Sequence, residues 1–275
     1  MVYRIGIAVL VVYAISAAPV RAEVDTKPTT DADGIRVHRV QSEYQAGVTE
    51  IRVLVPDNLD KTKAYPVIYV LPVEAKNGRV FGNGLVEIKK LNLHNRLGVI
   101  FVEATFSHLP WFADHPTDAR IRQETYFLKV VLPFIEKTYP ALKHRTGRLL
   151  LGFSKSGWGA FSLLLRNPEI FGKAAAWDAP LMMAMPNKYG MADIFGTQEN
   201  FEKYRLTKLL DAHGKELGNS PRLAILGHSN FRDHHIQAHE LMKRLDIAHE
   251  YRDEKKSPHT WHSGWVEPAV QWLVK

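Results

Sequence analysis

Arg148-Leu149-Leu150-Leu151-Gly152-Phe153-Ser154-Lys155-Ser156-Gly157-Trp158-Gly159-Ala160 reads as a buried strand, an abrupt turn and the start of a helix. The short apolar run Leu149 to Leu151 meets small residues. A helix-length segment from Trp158 to Arg166 follows, with Leu163, Leu164 and Leu165 available for burial and Pro168 closing it. Ser154 stands at the corner. In a nucleophile elbow the serine takes a strained backbone so that its hydroxyl points out above the sheet. The residues two before and two after it must be small, because strand and helix pass almost in contact. Gly152 and Ser156 fill those positions; the usual pattern is Gly-x-Ser-x-Gly, so Ser156 is a departure that keeps the side chain small.

Working outward, strands and helices alternate. Ile35 to Tyr44 and Val48 to Val55 are rich in β-branched residues around Gln45-Ala46-Gly47, which predicts an antiparallel hairpin. Pro66 to Leu71 and Val99 to Val102 are nearly continuous apolar runs, as central strands covered on both faces require, with a helix between them from about Gly84 to Arg96. The stretch Ala104 to Arg120 is a loop dense in aromatic and polar groups, and a long helix is expected from Ile121 to Tyr139. Beyond the elbow, Ala174 to Trp177 reads as a strand ending at Asp178-Ala179-Pro180. Leu181 to Leu210 carries mixed helical signals suited to a cap. Arg222 to Leu226 is a strand, Asp233 to Leu245 a helix, His249 to Arg252 a strand and Ser263 to Val274 a closing helix. The alternation has no internal repeat and no clear boundary. It predicts an α/β chain with one doubly wound, mostly parallel sheet preceded by an antiparallel hairpin, as a single domain over residues 34–275. Chemistry in such sheets sits at the C-terminal strand ends.

The 275 residues carry 45% hydrophobic side chains, ample for a core, and no cysteine, which excludes a disulfide framework and any cysteine-based catalysis. Near the N-terminus, Arg4 precedes the apolar run Ile5 to Ile15, and Val20-Arg21-Ala22 offers a small-x-Ala cleavage site before Glu23. Residues 1–22 are therefore expected to be a secretory signal peptide and residues 23–33 a polar linker. The apolar run is shorter than the roughly 18 residues a membrane span needs, so the mature chain is expected to be secreted or periplasmic without stable membrane insertion. Net charge is +7, and loss of Arg4 and Arg21 would leave +5. The Lys and Arg residues are scattered with no basic stripe, so nucleic acid is not an expected partner.

A serine hydroxyl becomes a good nucleophile when an imidazole takes its proton. Of 13 histidines, the loop before the closing helix, Ser257-Pro258-His259-Thr260-Trp261-His262, supplies the two that qualify as base, because in the elbow-bearing order the acid follows the serine and the histidine comes last. From Pro66 onward the chain resembles the esterase D and enterochelin-esterase-like branch of α/β hydrolases, often called putative esterases. Tyr65 to Leu71 is similar to that family's third strand, Gly152 to Ala160 to its elbow, and His239 to Tyr251 to its penultimate helix and strand. The resemblance implies an α/β-hydrolase fold and a serine carboxylesterase that needs no cofactor. Ser257-Pro258-His259-Thr260-Trp261 matches the His-x-Trp part of the family's histidine motif, which makes His259 the preferred base over His262.

The family shows His-Gly after the third strand, where a backbone N–H helps form the oxyanion hole; here Pro72-Val73 stands instead. Proline has no N–H, so the expected donors are Val73 or Glu74 together with Lys155. The family's acid lies a few positions beyond the strand at Leu223 to Leu226, where the first carboxylate is Asp233. Asp233 is thus the expected acid, with a plain helix-capping role as its competitor and with Asp178 or a Ser154–His259 dyad as the alternatives. In the aromatic loop, Trp111, Asp114 and His115 are candidates for binding the acyl or sugar portion of a substrate. Glu124 either complements its helix N-terminus or hydrogen-bonds near the site. His228, His234, His235 and His239 cluster in sequence, but Ile236 stands where a zinc protease needs glutamate, so no metal site is expected. The reading is a serine hydrolase acting on small-molecule or glycan esters, its acyl group (acetyl, feruloyl, siderophore ester or other) and its oligomeric state left open. The competing reading is a hydrolase-fold protein without catalysis that binds a glycan or siderophore, motivated by Ser156 and the altered oxyanion strand.

Overall fold

The computed structural model describes residues 22–254 and 256–275. The expected signal peptide, residues 1–22, lies almost wholly outside them. Residues 23–33, expected to be a linker, contribute the short strands β1 (Glu23–Val24) and β2 (Thr29–Thr30), which pair antiparallel with the next strand. That segment belongs to the sheet edge because its backbone N–H and C=O groups find partners there. The hairpin follows as β3 (Arg36–Gln41) and β4 (Thr49–Leu54), and then β5 (Val67–Leu71).

Next come α1 (Gly84–Lys90), α2 (Leu93–Leu97) and β6 (Ile100–Ala104). The single helix expected from Gly84 to Arg96 breaks at Asn92, which takes a left-handed conformation at φ 55°. The long helix of the sequence reading begins as α3 (Gln123–Tyr126), passes through a π-turn over Phe127–Val131 and continues as α4 (Leu132–Thr138). The π-turn ends two residues before Pro133, whose ring nitrogen has no hydrogen to give to the carbonyl one turn back, so the ladder shifts register there. After it come β7 (Arg148–Phe153), α5 (Lys155–Arg166) and β8 (Lys173–Trp177). Between β8 and β9 lie α6 (Ala192–Phe195), α7 (Gln198–Glu202) and α8 (Leu206–His213). The chain closes with β9 (Leu223–Leu226), α9 (Arg232–Arg244), β10 (His249–Arg252) and α10 (Val266–Val274).

Among the described residues the strands form one sheet in the order β1-β3-β4-β6-β5-β7-β8-β9-β10, with β2 on β3. From β6 to β10 neighbouring strands are parallel, while β3 and β4 run antiparallel to their neighbours. The central strands β5, β7, β8 and β9 are apolar on both faces because both faces are covered. One core contains Trp111, Phe127, Trp158 and Leu164, and the other contains Leu85, Trp261, Val270 and Leu273. The mostly parallel, doubly wound sheet with its antiparallel entry is thus the architecture expected.

The chain passes from β5 to β6 on one side and returns to β7 on the other, so the C-terminal ends of β5 and β7 flank a topological switch point, where open α/β sheets hold their ligands. Helix α5 packs tightly beneath this point. A Cβ on Gly159 would lie 2.1 Å from the ring of Phe112, so the glycine is what allows the aromatic loop to fold inward against the helix.

Candidate active site

The strand-to-helix corner takes the form the sequence demanded. Ser154 has φ 54° and ψ −130°, a conformation that costs an L-residue on the order of 1–3 kcal/mol. The flanking structure sustains it: the Ser154 N–H donates to the carbonyl of Trp177 at 3.1 Å, and helix α5 starts at the next residue. Gly152 has no alternative, since a Cβ there would stand 2.2 Å from the Ser156 carbonyl oxygen. Ser156 is fully buried, yet its hydroxyl is satisfied locally, donating to the Phe153 carbonyl at 2.8 Å and accepting from the Phe153 N–H at 2.9 Å. The departure from Gly-x-Ser-x-Gly therefore ties the turn together.

The histidine that shares a cavity with the serine comes from the loop before α10. Ser154 and His259 both line a cavity of about 530 Å³ whose walls are Phe81, Leu109, Pro180, Tyr189 and Phe231, with Lys155 and Asn230 as the other polar members. The His259 ring is held among aromatics, 4.6 Å from Phe153, 5.3 Å from Phe81 and 5.9 Å from Phe231 between ring centroids. Its Nδ1 is hydrogen-bonded to Oδ2 of Asp178. An ionised carboxylate can only accept, so Nδ1 carries the hydrogen and Nε2 of the neutral ring is left as an acceptor. The other candidate, His262, is exposed and directs its Nδ1 to Oε2 of Glu87 at 2.6 Å.

The acid that meets His259 is Asp178, at the end of β8, and not Asp233. Asp178 is buried, with φ 42°, and this turn aims its carboxylate across the ends of β8 and β9. Its Oδ1 accepts the N–H groups of Ser229, Asn230 and Phe231 at 2.7, 2.7 and 2.8 Å. Burial alone would raise its pKa, but the hydrogen bonds from His259 and from the Ser229 and Phe231 N–H groups outweigh it and hold the carboxyl below its ordinary value. Asp233 instead lies in the first turn of α9, exposed, where a carboxylate complements the helix N-terminus.

The histidines clustered in sequence disperse into separate structural contacts. His235 is buried, and its Nε2 accepts the N–H of Ala179 at 2.9 Å; desolvation pushes its pKa down to about 4. It therefore pins, in its neutral form, the residue after Asp178. His234 accepts from Met182 N–H at 3.0 Å, His228 stands 3.3 Å from Asp253, and His239 bonds His249 at 2.8 Å while stacking on Tyr251.

Of the expected oxyanion donors, Lys155 is the first residue of α5, where a backbone N–H has no intrahelical acceptor. Val73 and Glu74 follow β5 and border a small neighbouring hollow with Asn83, Glu103 and Trp261. Glu74 reaches toward both sides: its Oε2 accepts from the Phe81 N–H at 3.4 Å, and its charge acts on Lys155.

The three residues expected to bind substrate from the aromatic loop do not line the cavity. Trp111 is buried against Trp158 at 5.5 Å, with its Nε1–H given to the Tyr189 carbonyl at 3.2 Å. Asp114 accepts the backbone and side-chain groups of Thr125, and His115 Nδ1 accepts the N–H of Asp118 at 2.9 Å. Loop closure and helix entry engage Asp114 and the Nδ1 of His115. Glu124 likewise pairs with Arg166 at 3.0 Å and with Asn167 at 3.0 Å, away from the serine. From that loop only Leu109 reaches the cavity. Phe81, Tyr189 and Phe231 were missed because their loops carry no regular pattern. The one sequence signal for Phe231 was its place just after the strand end at Leu226.

Comparison with known proteins bears on the family and the fold. A family profile described as Putative esterase matches residues 117–265. No curated protein matches the sequence. Among solved structures, the chain is similar to a ferulic acid esterase, with 20% identity and a TM-score of 0.67 over 92% of this chain and 96% of that one. It is also similar to an S-formylglutathione hydrolase from Staphylococcus aureus, with 14% identity and a TM-score of 0.70 over 88% and 98% of the two chains. A fluorophosphonate-binding serine hydrolase from Staphylococcus aureus matches with 14% identity and a TM-score of 0.67 over 94% and 100%. At these identities the likeness speaks for the fold.

Proposed function

Because this chain belongs to the Putative esterase family of α/β hydrolases and is a carboxylesterase-like hydrolase, we propose that it cleaves esters of small molecules or glycans with Ser154 as nucleophile, His259 as base and Asp178 as the orienting acid. The observation that carries the assignment is the bond from His259 Nδ1 to Asp178 at the wall of the cavity that Ser154 also lines.

Ser154 Oγ attacks the ester carbonyl carbon while its proton passes to His259 Nε2, and the carbonyl oxygen becomes an oxyanion facing the Lys155 N–H and a donor from Val73 or Glu74. Collapse of the tetrahedral intermediate breaks the bond to the alcohol oxygen, which leaves with the proton from Nε2. Water then attacks the acyl-serine and gives a proton to the same nitrogen. The second collapse releases the carboxylic acid and returns the proton to Ser154. Throughout, Asp178 keeps the imidazole in the Nδ1–H tautomer and stabilises the imidazolium, and three backbone N–H groups hold the carboxylate in place. The apolar walls exclude water from the charge-separated steps.

The proposal includes export. It draws on the pattern of residues 1–22 and on a chain without cysteine that folds by packing alone. Among the described residues no helix is long and apolar enough to cross a membrane. Hydrolysis of a short-chain nitrophenyl ester by the wild type, abolished in Ser154→Ala, tests the esterase reading. A folded wild type inactive on such esters, and on acetylated and feruloylated sugars, favours the non-catalytic binder.

A further inference from the structure

The residue after the proposed nucleophile does more than lend its backbone. Lys155 is half-buried and lines the Ser154 cavity, whose other walls are largely apolar. Its ammonium makes no hydrogen bond or ion pair with any described residue. Glu74 alone acts on it electrostatically, and from beyond ion-pair distance. Glu74 already accepts from the Phe81 N–H, and the buried carboxylate of the site, Asp178, is occupied by His259 and three backbone N–H groups.

A cation drawn partly out of water without a partner is unfavourable, and desolvation accordingly lowers the Lys155 pKa, with Glu74 opposing it only in part. Lys155 is attached next to the serine, and its flexible four-carbon stem lets the ammonium meet a group only a few bonds from the scissile carbonyl.

From Lys155, which lines this largely apolar cavity and whose ammonium has no partner among the described residues, we infer that the substrate is an ester bearing a carboxylate close to the scissile bond, and that Lys155 selects it. The inference rests on the esterase reading above. In a cavity with apolar walls such a pair is stronger than at the surface, and it removes the cost of the lone cation, so the charge serves as a selectivity device.

The test uses ester pairs that differ in charge. For the acyl side, mono(4-nitrophenyl) glutarate is compared with 4-nitrophenyl valerate. For the alcohol side, 4-acetoxybenzoate is compared with 4-acetoxyacetophenone. The readout is the ratio of kcat/KM for the anionic ester to that for the neutral one, compared between wild type and variants so that the intrinsic reactivity of each ester cancels. Lys155→Met should lower this ratio by about tenfold or more in at least one pair, as loss of a partly buried charge contact implies, while Lys155→Arg should preserve it. The responding pair reports which side of the ester carries the carboxylate. An unchanged ratio in both pairs overturns the inference. Should Lys155→Met not fold, the wild type decides: glutarate must inhibit hydrolysis of the neutral ester more strongly than glutaramide, and equal or weaker inhibition overturns the inference. Neutral-ester turnover that disappears in Ser154→Ala, together with an unchanged ratio, leaves the esterase reading standing and removes the inference alone. Absence of turnover on every ester removes both.

Discussion

Asp178 and His259, 81 residues apart in sequence, are joined by a hydrogen bond from the imidazole Nδ1–H to a carboxylate that three backbone N–H groups also hold. The proposed acid thus stands at the end of β8, one strand earlier than the position at which Asp233 was expected. Substituting Asp178 by Asn keeps the volume but removes the charge and allows the wrong imidazole tautomer. In Asp178→Asn, kcat should fall by roughly 10³–10⁴, with KM changed far less. Asp233→Asn should retain wild-type kcat within a few-fold, because an exposed residue in the first turn of α9 touches neither serine nor histidine. Steady-state kinetics on a neutral nitrophenyl ester measures both.

The two histidines of the same loop should separate cleanly. His259→Ala should lower kcat about as far as Ser154→Ala does, since nucleophile and base act as a unit. His262→Ala removes a hydrogen bond to Glu87, away from the serine, and should leave turnover near wild type. A larger loss in His262→Ala than in His259→Ala contradicts the assignment.

Much of this was legible in the chain. The apolar strand, the small residues at 152 and 156 and the following helix identified Ser154 because close strand–helix approach leaves few alternatives. His259 was narrowed to one of two by its place before the last helix. The acid was not legible, because β8 and β9 are adjacent in the sheet and their C-terminal ends come together, so either strand can deliver a carboxylate to the same point. What decides between them is the left-handed turn at Asp178 and the cradle of N–H groups after β9, both products of the folded backbone. The aromatic loop misled for a related reason: Trp111 looks like a pocket wall in sequence, but the absence of a side chain at Gly159 gives its neighbour Phe112 a buried seat and folds the loop inward.

Ser156 makes a prediction about stability. Its hydroxyl satisfies both polar groups of the Phe153 backbone in a fully buried setting. Ser156→Ala should therefore destabilise the fold by about 1–3 kcal/mol, read as a lower urea midpoint with an unchanged m-value. A midpoint equal to wild type contradicts a structural role for this hydroxyl.

Acid should weaken the fold through its buried histidines. His235 has an ordinary pKa of 6.5 when unfolded and is held at about 4 in the folded chain by burial. A depressed histidine contributes its full stability above pH 6.5. As pH falls from 6.5 toward 4 the unfolded chain binds a proton that the folded chain refuses, so that contribution is lost, on the order of 3 kcal/mol at the lower limit. The shifts of His38, His94, His234 and His239 have the same sign and add to the trend. Asp178, depressed below 3.8, adds its loss only at lower pH. Urea midpoints at pH 7 and pH 5 should show a clear drop in the wild type and a smaller one in His235→Gln, whose side-chain oxygen can still accept from Ala179.

The central claim, that Ser154 is a nucleophile activated by His259 and oriented through Asp178, is tested most directly by the rate and site of labelling with a neutral fluorophosphonate. The folded wild type should take up one equivalent, with the adduct mapped by peptide mass to Ser154. Labelling should vanish in Ser154→Ala, and its second-order rate should fall by about 10³ or more in both His259→Ala and Asp178→Asn while Asp233→Asn stays close to wild type. An unlabelled wild type, equal labelling of Ser154→Ala, or a rate that collapses in Asp233→Asn and survives in Asp178→Asn would contradict it.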